Sequence, residues 1–505
     1  MSRINTNVQS LIAQRVLGFN NRSQNQSLER LSTGLRINRG KDDPAGLIAS
    51  ENLRAEKSKI NAAIANADRA DQVANIAEGG FQEISNLLTD LQGLITTSAN
   101  GAGLSQEEKE ANQLQIDSIL QTIDRISDAT SFQGKKLLNG GFDYSTESID
   151  AGVTDYKING AKLTNGDDLA VKAIVTTSAQ QAGLFLSTGG NIDLGGAVGS
   201  TFTIEISGAL GSRELSFASG TTLSDIAEAI NSFTNVTGLT ATASGTGLRL
   251  DSESYGSNAF ASVKVISSAN IQGTGVGVYT LESDDTNTAD TSTGVAFSNN
   301  GARNGIRDEG QDIVATINGI RATANGKTAS INTDFLNIEI TFDDTTATTL
   351  GSVDALTING GGADFQLAGN VDIAGKVSLG IRDTSSRKLG NSSLGYLADL
   401  ASGKSLNIID SSDLSDAQKV VEEAIRQVSS ARGRLGAFQK NTVGATIRSL
   451  SVAFENTAAA ESQIRDADFA SETAALTRSQ ILAAASTNVL ALANQQPQAA
   501  LQLLG

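Results

Sequence analysis

The sequence contains no histidine, cysteine or tryptophan, and only two prolines among its 505 residues. Without cysteine there is no disulfide framework, thiolate nucleophile or cysteine–zinc site. Without histidine there is no Ser-His-Asp triad, no imidazole general base and no HExxH zinc helix. Aromatic residues make up 4 % of the chain, which leaves few anchors for a deep ligand pocket. The 38 basic residues are outnumbered by 55 acidic ones, and a net charge of −17 has the wrong sign for tracking a nucleic-acid backbone. No apolar run approaches the ~18 residues of a membrane helix. The most apolar window, Ile481 to Ala493, is broken by Ser486, Thr487 and Asn488. The N-terminus scatters Val8, Leu11, Ile12, Val16 and Leu17 among Asn, Gln and Arg, unlike the apolar core of a secretory signal. Composition fits a cytoplasmic and an exported protein equally. It favours a structural protein with no metal or cofactor over an enzyme.

What is present falls into three zones. Residues 1–140 and about 400–505 carry Leu, Ile, Ala, Gln and Glu at helical spacing, and the two prolines, Pro44 and Pro497, leave the helices between them uninterrupted. Phe81, Ile84, Leu88, Leu91 and Ile95 form an a/d seam, and Ile116, Ile119, Ile123 and Ile126 repeat it. Near the other end the seam is Leu414, Ala417, Val421, Ala424, Val428, Ala431, Leu435 and Phe438, followed by a short one of Leu482, Ala485, Val489 and Leu492. The seams lie at opposite ends of the chain. They predict an α+β protein whose termini build one long coiled-coil-like helical rod, with a β-rich outer insertion of one or two small modules looped out of it.

The middle is rich in Thr, Ser, Gly, Asp and Val. Residues 201–206 and Leu336 to Phe342 alternate with the two-residue period of half-buried strands, and Leu223 to Asn231 reads as a short helix. Ile-Asn-Gly occurs at 158–160, 317–319 and 358–360, and predicts three hairpin tips, since Asn-Gly supplies the positive-φ pair of a tight turn. The glycines at 273, 275 and 277 lack a following helix start and read as a turn, not a phosphate loop. Asp284, Asp285, Asn287 and Asp290 lack the central Gly and terminal Glu of an EF-hand and read as a solvated acidic loop.

Several unlinked segments carry a family resemblance. INTNVQSL (Ile4 to Leu11), LERLSTGLRINRGKDDPAGLIASENLRAE (Leu28 to Glu56), RGRLGAFQKN (Arg432 to Asn441), AAAESQIRDADFASE (Ala458 to Glu472) and ALANQQPQAALQLLG (Ala491 to Gly505) together resemble bacterial flagellin, the filament subunit. TSFQGKKLLNG (Thr130 to Gly140) is similar to its inner-rod region, and FQLAGNVDIAGKVSLGIRD (Phe365 to Asp383) to the hairpin beside the rod. The resemblance covers both ends, in the family's order. Local chemistry agrees with it: Gly34 follows Ser-Thr as a helix end, and Asp42 and Asp43 precede Pro44 as acidic caps of a long helix.

The resemblance implies an inner helical layer (1–40 with 462–505), a rod (41–140 with 364–461) and a variable outer part (141–363). It implies a subunit that self-assembles into the flagellar filament, a propeller for swimming; the alternative is a hook–filament junction protein of the same machinery. Phe81, Ile84, Leu88, Leu91, Ile95, Leu435, Phe438, Leu482, Val489 and Leu492 are the expected packing and assembly residues. Expected partners are other copies of the chain, an export chaperone on the C-terminal helix, the flagellar cap and the junction proteins. The expected location is extracellular, reached by flagellar export, with O-glycans on outer Ser and Thr. In flagellins that activate the animal Toll-like receptor, the segment matching Leu88 to Thr97 carries an Arg and a Glu where this chain has Asp90 and Gly93. Gln115 replaces a supporting acid, while Leu94 is kept.

Overall fold

The computed structural model describes residues 6–100, 103–163, 167–195, 199–281, 289–410 and 413–502, with side chains described as far as 495. Helix α1 (Val8–Thr33) is capped by the Asn7 side chain, which accepts from Ser10 N–H at 3.1 Å. It ends at Gly34, whose φ of 73° no β-carbon-bearing residue adopts cheaply. Helix α2 (Pro44–Ser98) starts where Asp43 accepts from Gly46 N–H at 2.8 Å and Pro44 occupies the first turn, which has no use for its missing N–H. At 55 residues it is about 80 Å long. Helix α3 (Gln106–Ala129) begins with a capping box made by Ser105 and Glu108. Residues 131–136 then form a tight hairpin, with positive φ at Gln133 and Gly134.

The middle of the chain folds as two β modules, one inserted in the other. The first packs a five-stranded sheet, which includes Tyr144–Glu147, Leu169–Thr177 and Gly351–Gly361, against a four-stranded one with Val153–Ala161 and Leu336–Phe342. Its core holds Ile158, Val171, Val175, Ile317, Ile338, Phe342 and Ile358. The second occupies residues 181–309, and Gln180 and Gln311 bridge its two ends through paired backbone hydrogen bonds of 2.8 and 2.9 Å. Helix α4 (Leu223–Asn231), at the expected residues, packs Ile226 and Ile230 into this second core with Phe202, Ile204, Leu248 and Val263. The single turns α5 (Thr234–Thr237) and α6 (Asn300–Asn304) belong to it, and α7 (Asp344–Thr348) to the first module.

Only one of the three Ile-Asn-Gly segments is a hairpin tip. Asn318 and Gly319 have φ of 49° and 81° and turn the chain between adjacent strands. Residues 158–160 and 358–360 lie inside strands instead. Ile338 pairs with Ile158 while Asn337 pairs with Gly160, and Thr146 pairs with Ile358 while Ser145 pairs with Gly360. In both cases the asparagine is the extra residue of a β-bulge. A bulge and a tight turn want the same small, permissive dipeptide, so the motif alone does not choose between them.

The C-terminal part contains α8 (Ser415–Ala437), one π-helical turn (Phe438–Val443), α9 (Gly444–Arg465) and α10 (Phe469–Gln502). Tertiary contacts divide the chain into two compact units: Met1–Ala74 with Phe365–Val377 and Leu435–Gly505, and Asn75–Asp364 with Ser378–Arg434. In the second, Phe81, Ile84, Leu88, Leu91, Ile95, Ile116, Ile123, Val421, Ala424 and Val428 are buried, and Ile119 and Ile126 half-buried. The loop after the hairpin is tied to α3: Asp124 accepts from Ser386, Asp117 from Ser402, and Gln113 bridges Leu400 O and Ile408 N–H. Burial alone would raise the Asp117 carboxyl, but the Ser402 hydroxyl and N–H together hold it below its ordinary value.

Candidate functional site

Within the first unit, α1 and α10 run antiparallel. Asn7 Nδ2 donates to Ala493 O (2.7 Å), Ser10 Oγ to Asn494 Oδ1 (2.8 Å) and Asn20 Nδ2 to Ser486 Oγ (2.9 Å), and Arg30 faces Glu472 at 3.6 Å. The buried positions on α1 are Ser10, Ala13, Asn20 and Ser27, and on α10 Ser479, Ser486 and Ala493. Ala13, Asn20 and Ser27 on α1, and Ser479, Ser486 and Ala493 on α10, recur every seven residues, the repeat of a coiled-coil seam, and Ser10 lies three residues before Ala13. The seam is made of small and polar side chains. Hydrogen bonds and close backbone approach hold this pair, with little apolar burial.

The large apolar side chains point the other way. Val8, Leu11, Ile12, Val16, Phe19 and Leu28 on α1, and Phe469, Ile481, Leu482, Val489 and Leu492 on α10, are all exposed, Phe19 by 66 % and Leu492 by 61 %. Apolar surface of this extent on a water-facing helix pair marks an interaction site. Each such side chain stands to gain on the order of 1 kcal/mol when covered. Among the described residues no helix is long and apolar enough to cross a membrane.

A joint follows α1. Arg36 N–H donates to Arg465 O (2.7 Å), Ala467 N–H to Gly34 O (2.9 Å), and the Arg36 guanidinium to Ile464 O (2.6 Å), so the two connecting segments lie side by side. The Arg39 N–H holds the Asp42 carboxyl below its ordinary value against a smaller effect of burial, helped by the Asn38 N–H. Beyond the joint, Lys57 meets Glu461 at 2.5 Å and Arg465 meets Glu51 at 2.9 Å. The hairpin at 363–379 rests on α2, with Asn66 donating to Gln366 O, and the Phe365 and Phe438 rings stack at 5.8 Å.

The ten expected assembly residues thus occupy two kinds of environment. Phe81, Ile84, Leu88, Leu91 and Ile95 fill the core of the second unit, and Leu435 and Phe438 that of the first. Leu482, Val489 and Leu492 face outward. Asp90, Gly93 and Gln115 are exposed, and Leu94 is half-buried. The buried Ser/Asn/Ala heptads of α1 and α10 escape a hydropathy reading. Their signal is the seven-residue recurrence of small residues, which no apolar stripe accompanies. In the acidic loop, Asp284, Asp285 and Asn287 lie outside the described residues. Asp290 accepts from Ser292 N–H and Oγ, an ordinary Asx turn.

Comparison with known proteins finds three family models. The bacterial flagellin N-terminal helical region matches residues 4–143, the bacterial flagellin C-terminal helical region 418–504, and the flagellin hook IN motif 201–254. The chain is 31 % identical to a B-type flagellin of Pseudomonas aeruginosa and 28 % identical to polar flagellin F of Vibrio parahaemolyticus, with 99 % of both chains covered in each case. Among solved structures, flagellar hook associated protein-3 from Legionella pneumophila aligns at 10 % identity and a TM-score of 0.30, over 82 % of this chain and 98 % of that one.

Proposed function

The chain belongs to the bacterial flagellins and is a structural subunit of the flagellar filament, and we propose that the apolar faces of α1 and α10 are the surface through which its copies stack. The inverted burial of the terminal pair carries this reading: small polar residues inside, eleven large apolar ones outside. Copies that meet through different patches, without closing a ring, build an open helical polymer.

The layers follow as a proposal. Residues 1–40 with 462–505 form an inner layer, 41–140 with 364–461 a rod, and 141–363 the outer part. The seven buried seam residues then act indirectly, by keeping the subunit rigid. The chain travels through the flagellar export channel, with α10 docking the export chaperone. The cap and the junction proteins are its further neighbours, and O-glycans decorate outer Ser and Thr. No step in this role requires catalysis.

Polymerisation onto short filament seeds tests the assembly surface. Val489→Asn with Leu492→Gln should leave the monomer's circular dichroism and melting temperature unchanged, while raising the concentration needed for elongation about tenfold or more. Unimpaired elongation would remove α10 from the interface. Leu88→Ala should do the reverse, lowering the monomer's stability by about 2–5 kcal/mol.

A further inference from the structure

A cavity of about 320 Å³ lies where the first β module meets α8. Strand Val153–Ala161 contributes Lys157 and Asn159, strand Leu336–Phe342 contributes Glu339, the segment 382–389 contributes Arg382 and Lys388, and α8 contributes Arg426 and Arg434. On a chain with net charge −17, this concentration of cations is out of character. Most of the acids around it are already engaged. Glu339 pairs with Lys157 at 3.3 Å, Glu423 with Arg426 and with Gln427 Nε2, and Asp383 accepts from Ser385 N–H at 2.8 Å.

Two arginines and a lysine have no ion pair shorter than 4.0 Å among the described residues. Arg434 donates to the neutral Asn159 Oδ1 and makes no ion pair among the described residues. Among the described residues Arg382 forms one long ion pair, with Asp155 at 4.0 Å, and lies near the buried Asp143 carboxyl, while Lys388 has no ion pair. Burial, and then the neighbouring Arg382 charge, push the Arg434 pKa down, with Glu339 and Asp143 opposing. A guanidinium withdrawn from water and set beside another cation is costly until an anion arrives.

We propose that this cavity is a binding site for a small tetrahedral oxyanion of the phosphate or sulfate class, held by Arg434 and Arg382 with Lys388 at the mouth. Planar guanidinium forks match such oxygens, and charge-assisted hydrogen bonds in a partly dry cavity are among the strongest available. The volume accommodates the anion with several waters, each of which takes about 30 Å³. Occupancy ties strand Val153–Ala161 to α8, so the anion stiffens the seat of the outer modules without touching the terminal helices.

The full-length monomer is titrated with inorganic phosphate, sulfate or chloride at one fixed ionic strength, followed by melting temperature and by isothermal calorimetry. Phosphate and sulfate should give a saturable rise in melting temperature and a one-site isotherm, and chloride neither. Lys388→Gln, a change at an exposed position, should weaken phosphate binding about tenfold, and Arg434→Gln should abolish the saturable response. A non-saturating rise that is the same in wild type and Lys388→Gln would be bulk salting-out, and would overturn the site. An equal response to chloride would overturn it too. A binding isotherm confined to a phosphorylated sugar, absent with inorganic phosphate, would show that the oxyanion alone is not the ligand and would refute the proposal as stated.

Discussion

Gly79 and Gly80 are neighbours in α2 and make opposite demands on the space around them. A β-carbon at 79 would meet nothing within 4 Å, whereas one at 80 would lie 2.6 Å from the Leu138 Cδ1 and 2.9 Å from the Thr130 Oγ1. Gly80 is therefore what lets the 131–136 hairpin region press against the helix, and Leu138 is fully buried and has little room to retreat. Gly79→Ala should stabilise the protein by up to about 1 kcal/mol, the ordinary helix gain. Gly80→Ala should destabilise it by about 1–3 kcal/mol, because overpacking exceeds that gain. Urea unfolding of the two variants gives the signs; equal signs would mean that the close approach carries no energy. Asp90 and Gly93 pose a different residue-scale question. Both are exposed, and at 93 a side chain has open space. From the resemblance to receptor-activating flagellins, which carry an arginine at the position of Asp90, we predict that the reversed charge makes this protein a weak receptor agonist. Asp90→Arg with Gly93→Glu should raise the signal of purified monomer in a receptor-reporter assay. Wild-type potency equal to that of an activating flagellin would sink the reading.

At the scale of elements, α1 and α10 differ from the helices of the apolar seams, while α9 buries no residue. α2, α3 and α8 bury Ile, Leu and Val, while the terminal pair buries Ser, Asn and Ala. Helices without an apolar seam depend on partners to stay formed. Limited proteolysis of the monomer should therefore cut first within α1 and α10 and leave a trimmed core that no longer elongates seeds; first cuts in α2 or α8 would contradict this ordering. The same contrast explains what could be read from the chain before its structure. The seam from Phe81 to Ile95 was legible because a large apolar residue every three or four positions has one interpretation, and every member of it is buried. The heptads through Asn20 and Ser486 were not, since small polar residues give no hydropathy contrast. The short helix Leu223–Asn231 was legible from its apolar spacing. The bulges at Asn159 and Asn359 were not, because whether Asn-Gly turns a chain or swells a strand depends on which distant strand pairs with it. Nor did local sequence reveal the cluster at Arg434, since its members come from two strands, a loop and a helix far apart in the chain.

The whole molecule is built by insertion. Residues 181–309 leave and re-enter the first β module at neighbouring points, where Gln180 and Gln311 exchange backbone hydrogen bonds, and most of the core of each module is internal. Removing 181–310 and rejoining the ends with a short Gly-containing turn should leave a folded protein that still elongates seeds, with a thinner filament in electron micrographs. If the deletion variant is a folded monomer that never elongates, the outer module takes part in assembly and the proposed layering fails.

That arrangement also imposes an order in time. Asn7 and Ala493, hydrogen-bonded to each other, are 486 positions apart, and closing so long a flexible loop costs about 5 kcal/mol beyond the constant of closure. The loop is not flexible once its interior has collapsed. The described strands between 181 and 309 pair only with one another, and just outside them Thr177 pairs with Val314. The expected order of folding therefore runs from the innermost segment outward, with the terminal pair, whose partners lie farthest apart in the chain, closing last. On that order the proposed assembly surface is completed only after the parts it carries are in place, and a half-folded chain is expected to have no finished end to offer a growing filament.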